Sequence, residues 1–154
     1  MFSYQAAQSK VSRWEALVDG GAVNFNQLKS LLGEINDFSE DEYIESATDE
    51  IRDFISQRML KLVLEDPGPS FEDLRYVLGK SDYVSEEENS HLLEKMLKCA
   101  KDFSHFVFLF HQFDDDTQKR SFLVKMKEVA GSEKERRYVA LLACCHRFHD
   151  VIGL

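Results

Sequence analysis

The chain has 154 residues, of which 44 % are hydrophobic and 31 % charged, with only 7 Gly and 2 Pro. That balance is globular and excludes disordered, collagen-like and most turn-rich all-β chains. Nineteen Lys and Arg against twenty-eight Asp and Glu give a formal charge of −9, which repels phosphate backbones and anionic lipid, so neither nucleic acid nor membrane is an expected partner.

Taken in chain order, the apolar spacing is helical almost throughout. Residues 3–19 carry Val11, Trp14, Leu17 and Val18 on one stripe, interleaved with Gln5, Gln8, Lys10, Arg13 and Glu15, which is not a signal-peptide pattern. Helices are next expected at 24–33 and 39–65, the latter with Ile44, Ala47, Ile51, Phe54, Ile55, Met59, Leu62 and Val63 at i, i+3, i+4, i+7. Asp66-Pro67-Gly68-Pro69 is a turn, followed by a helix at 70–79. A long helix at 86–112 carries Leu92, Leu93, Met96, Leu97, Ala100, Phe103, Phe106, Val107 and Phe110. After Asp114-Asp115-Asp116 come two more, at 117–130 and 133–150. The reading is all-α with about seven helices. No run approaches the ~18 apolar residues of a membrane span.

An internal repeat organises these elements. At an offset of 46 residues Phe25, Leu28, Leu32, Gly33, Ser39, Glu40 and Glu42 meet Phe71, Leu74, Leu78, Gly79, Ser85, Glu86 and Glu88. A fainter third copy places Ser132 and Glu133 after Phe122 and Met126. Ser39-x-x-Glu42, Ser85-x-x-Glu88 and Ser132-x-x-Glu135 are capping boxes in pattern, with the Ser oxygen and the Glu carboxylate satisfying amides of the first turn. Gly33, Gly79 and Gly131 are expected to end the preceding helices in left-handed conformation. The chain thus reads as one all-helical domain, 1–154. Its three tandem hairpins cover 24–65, 70–112 and 117–150, and an N-terminal helix caps them. The period resembles that of HEAT arrays, and a compact bundle of the same helices fits equally.

Chemistry-bearing residues are few. Cys145, His146 and His149 stand at i, i+1 and i+4, with His105 and His111 on the preceding long helix, so thiolate and imidazole zinc ligands are conceivable there. The bland alternative is an apolar stripe of Tyr138, Val139, Leu141, Leu142, Cys145 and Phe148, with cysteine as a small buried hydrophobe. Cysteine catalysis would recruit Cys144 or Cys145 with His149 and Asp150. Three cysteines with two adjacent make a poor disulfide framework and suit the cytosol of the producer or of a host. No phosphate-cradling glycine loop is present, Gly20-Gly21 lacking a following Gly-Lys-Ser. No cofactor is expected.

The clearest surface signal is aromatic. Phe103, Phe106, Phe108, Phe110 and Phe113 fall within eleven residues, and Phe108 with Leu109 widens the stripe around the helix. A helix apolar around much of its circumference is either central or covered by a partner. Phe108, Leu109, His105 and Lys101 are therefore the expected protein-binding residues. Lys119, Arg120, Lys125, Lys127, Lys134, Arg136 and Arg137 make the C-terminal third basic. The function expected is a non-catalytic protein-interaction module: an adaptor, an inhibitor or a host-interaction factor. The alternatives are a small metal- or cysteine-dependent enzyme centred on Cys145, His146 and His149, and a homo-oligomeric structural protein.

Overall fold

The computed structural model of the chain describes residues 4–20, 24–38, 45–80 and 84–153. Those residues form eight α-helices and no strand. They are α1 (Tyr4–Asp19), α2 (Phe25–Phe38), α3 (Glu45–Glu65), α4 (Phe71–Gly79), α5 (Glu86–Cys99), α6 (Phe103–Gln112), α7 (Asp116–Val129) and α8 (Glu133–Cys145), and a 3₁₀ turn follows over His149–Ile152. The all-α expectation holds. The chain divides into two compact units, Met1–Asn89 and Ser90–Leu154.

In the first unit α3 is central, and α1, α2 and α4 each pack against it. Ile51, Ile55, Met59 and Val63 recur every four residues along α3 and are all buried, as a helix with one covered face requires. α1 adds Trp14 and Val18, with the Trp14 indole Nε1 donating to Glu34 Oε1 of α2 at 3.4 Å. α2 and α4 begin alike, 46 residues apart. Asn24 Oδ1 accepts from the Gln27 amide while Gln27 Oε1 accepts from the Asn24 amide, both at 2.9 Å. Ser70 Oγ accepts from the Asp73 amide at 3.1 Å. Leu28 and Leu74 are then buried in equivalent places, as are Leu32 and Leu78.

Gly33 does not stop α2, which runs five residues further than expected. Its backbone is not left-handed, and neither are Gly79 and Gly131. The apolar stripe continues past it: Leu28, Leu31, Leu32 and Ile35 are all buried, Ile35 completely. Burying an isoleucine contributes about 1.5–3 kcal/mol, against about 1 kcal/mol for one helical glycine, so the helix continues. The Ser39 capping box lies outside the described residues. That of Ser85 is present: its Oγ accepts from the Glu88 amide at 3.2 Å and Glu88 Oε1 accepts from the Ser85 amide at 3.3 Å.

In the second unit α7 packs between α6 and α8 and buries Phe122, Leu123 and Met126. The helix expected over 86–112 is broken at residues 100–102. There His105 Nδ1 accepts from the amides of Lys101 and Asp102 at 3.2 and 3.4 Å, satisfying free amides at a new helix start. Asp115 Oδ2 caps α7 through the Gln118 amide at 2.9 Å. Ser132 Oγ caps α8 through the Glu135 amide at 3.1 Å, although Glu135 reaches back to the amide of Gly131, not of Ser132.

α8 ends at Cys145, five residues short of the expected 150. The Phe148 amide donates to Ala143 O at 2.7 Å and the Arg147 amide to Cys144 O at 3.2 Å, the paired bonds of a Schellman motif. Arg147 occupies the left-handed position, φ 62°. The reversal turns Phe148 and, beyond it, Val151 into the core.

Two substitutions test these endings. Gly33→Ala should stabilise the protein by about 1 kcal/mol, since an added Cβ meets nothing within 4 Å. Arg147→Gly should stabilise by about 1 kcal/mol through loss of the left-handed penalty on a side chain. Urea denaturation reads both, and a loss of stability at either site would contradict the backbone described here.

Candidate functional site

The four residues singled out, three on α6 and Lys101 in the break before it, do not form one surface. Leu109 is fully buried and His105 nearly so, the latter already engaged with the amides before the helix. Phe108 is half-buried and Lys101 exposed. The physical reason is the break at 100–102, after which α6 turns Phe106, Leu109 and Phe110 into the core. Leu109 and His105 are therefore not side chains that a partner can reach.

At the other end of α6 lies a cluster of rings. Phe110 meets His111 and His146 edge-on, with centroids 5.3 and 5.0 Å apart, geometries that aromatic quadrupoles favour. His111 Nε2 is 3.4 Å from the Tyr138 hydroxyl. Lys119 Nζ stands 4.5 Å over the Phe110 ring and donates to Phe110 O at 3.2 Å. Burial first, then Lys119, then His146 lower the His111 pKa below its ordinary 6.5. The folded protein thus holds this proton less tightly than the unfolded chain does.

His146 stacks on Phe148, the rings 10° apart in orientation. Cys145 and His149 are exposed, and among the described residues no three His, Cys, Asp or Glu side chains converge as metal ligands would. Cys144 and Cys145 are free and exposed, so Cys145 does not belong to the buried stripe of α8, which is Val139, Leu142 and Ala143. Cys99 is half-buried, and burial raises its thiol pKa.

The first unit carries a surface that sequence reasoning missed. Phe54, placed in the buried stripe of α3, is 48 % exposed, and Leu17 of α1 is 46 % exposed. Phe54 stands in a groove of about 280 Å³ between α1 and α3, floored by Val18 and Ile51 and rimmed by Glu15, Asp19 and Glu50. Glu15 and Asp19 are one turn apart on α1, as are Glu50 and Phe54 on α3. No ion pair engages the three carboxylates among the described residues. The signal lay in the stripe itself: eight apolar positions in 39–65 span more of the helix than one packed face covers.

No protein family, characterised protein or solved structure matches the chain.

The His111 shift has a measurable consequence. Because its folded pKa is lowered, His111 contributes no pH dependence well above pH 6.5. As the pH falls through 6.5 the unfolded chain takes up the proton first, so stability declines until the folded midpoint is passed. An NMR titration should place the His111 midpoint below 6.5, and Lys119→Gln should move it up. A midpoint at or above 6.5 would contradict the packing around the ring.

Proposed function

We propose that the chain is a non-catalytic helical module that binds another protein. The observation supporting this reading is the groove at Phe54, where an aromatic ring is left half in water between two helices, with Leu17 of α1 also half-exposed. Large apolar side chains framed by polar rims recur at protein interaction sites. Covering the exposed part of Phe54 contributes about 1–2 kcal/mol to a complex, the scale of an interface anchor. The rim supplies direction, because three carboxylates select for cations on the partner. A reducing cytosol agrees with the two exposed thiols. The expected site on α6 is thereby moved: Lys101 and Phe108 remain on the surface of the second unit, while the anchor is in the first.

The test compares wild type with Phe54→Asp as bait in cytosolic extract, with far-UV circular dichroism on both. Phe54→Asp should keep its helicity and lose, by tenfold or more, the proteins that wild type retains. Equal retention by both would move the site away from the groove, and a wild type that retains no protein and does not bind its own copies would overturn the module reading.

A further inference from the structure

We infer that the α1–α3 groove receives the α8 face of a second copy of this chain. The inference rests on the interaction-module reading and names the partner of that groove. Two surfaces of the molecule fit one another in charge and in apolar content. Residues 1–89 hold eight Lys and Arg against nineteen Asp and Glu, a formal charge of −11, whereas residues 90–154 hold eleven against nine, or +2. The acidic half contains the groove of Phe54, Glu15, Asp19 and Glu50.

The complementary surface lies on α8. Its buried residues are Val139, Leu142 and Ala143. The opposite face presents Lys134, Arg137, Leu141 and Cys144, at spacings of three, four and three that place them along one side of a helix. Leu141 is 60 % exposed, the highest of the large hydrophobic side chains in the described residues. Lys134 and Arg137 precede it by two turns and one. Arg137 contacts Glu133 at 3.4 Å, but both side chains are mostly exposed, and such pairs contribute about 0–1 kcal/mol, so the guanidinium is readily redirected. A cation–cation–leucine stripe thus matches a groove that offers one aromatic ring and three carboxylates. Leu141 covers Phe54 while Lys134 and Arg137 face the rim.

Because the two surfaces differ, the contact is heterologous: each pairing leaves one groove and one α8 face free for further copies. That asymmetry supplies the test. Sedimentation analysis of wild type from about 10 µM to about 1 mM should show the mean mass rising with concentration. Phe54→Asp and Leu141→Asp should each stay at single-chain mass, with unchanged circular dichroism. Their equimolar mixture should form a pair of twice the single-chain mass and nothing larger, since it contains one intact groove and one intact α8 face. Glu50→Lys and Arg137→Glu, both at exposed positions, should each weaken association about tenfold, and mixing them should restore it.

Wild type at single-chain mass throughout would overturn the inference, as would a mixture of the two Asp variants that fails to pair. Self-association unaffected by either Asp variant would overturn it too. If wild type does not self-associate yet Phe54→Asp still loses proteins from extract, the second copy is wrong as occupant and the module reading stands.

Discussion

The imidazole of His105 decides where the aromatic helix of the second unit begins. A helix that simply continued from Glu86 would carry its apolar residues past Ala100 in unbroken register. Instead the ring accepts from two successive amides, those of Lys101 and Asp102, which a new helix start would otherwise leave without partners. Accepting at Nδ1 requires that nitrogen to be unprotonated, and Nε2 then faces the Asp102 carboxylate at 3.6 Å. From this fixed start, Phe106, Leu109 and Phe110 fall on the covered face, and α6 lies against α7. The same register brings Phe110 and His111 to the ring cluster with Tyr138 and His146. A side chain read as surface chemistry thus works as a helix cap.

The same logic of local capping runs along the chain, and it separates what was legible from what was not. The Ser85 box with Glu88, and Ser132 as the cap of α8, were readable because a capping pattern is contiguous and its bonds close within four residues. Helix identity was readable for a similar reason: the spacing of buried residues is set by the helix itself. Endings were not. Gly33 looks like a stop, but its effect of about 1 kcal/mol is outweighed by Ile35, a comparison that needs the burial of Ile35 to be known. Arg147, with no glycine signal at all, takes the left-handed position because Phe148 is drawn into the core by the reversal that Arg147 makes.

The candidate site failed to show itself for a related reason. Phe54 and Leu17 obey helical periodicity as well as their buried neighbours do, so nothing in the pattern distinguishes a covered position from an uncovered one. What decides is how many elements surround a helix. α3 is met by α1, α2 and α4, yet Phe54 sits where no described element covers it. Likewise Leu141 continues the stripe of Val139 and Leu142 on paper, while only the latter two are buried. Apolar residues in excess of the faces available to bury them are thus a sequence-level sign of a surface, although they do not say which residue is left outside.

Charge then gives that surplus a direction. Glu15, Asp19 and Glu50 are exposed, and at physiological salt, with a screening length of about 8 Å, holding them together costs little. Their effect on a partner is larger than their effect on the fold. A cation laid beside Phe54 excludes water from the groove as it arrives, and an interaction made in reduced dielectric is stronger than the same pair in open solvent. In the proposed complex the aromatic ring and the carboxylates therefore act together: the ring supplies the dry contact and the rim rejects anionic surfaces, including most of the first unit of another copy. In the self-association proposed above, the α8 face of Lys134, Arg137 and Leu141, which carries no carboxylate, escapes that rejection.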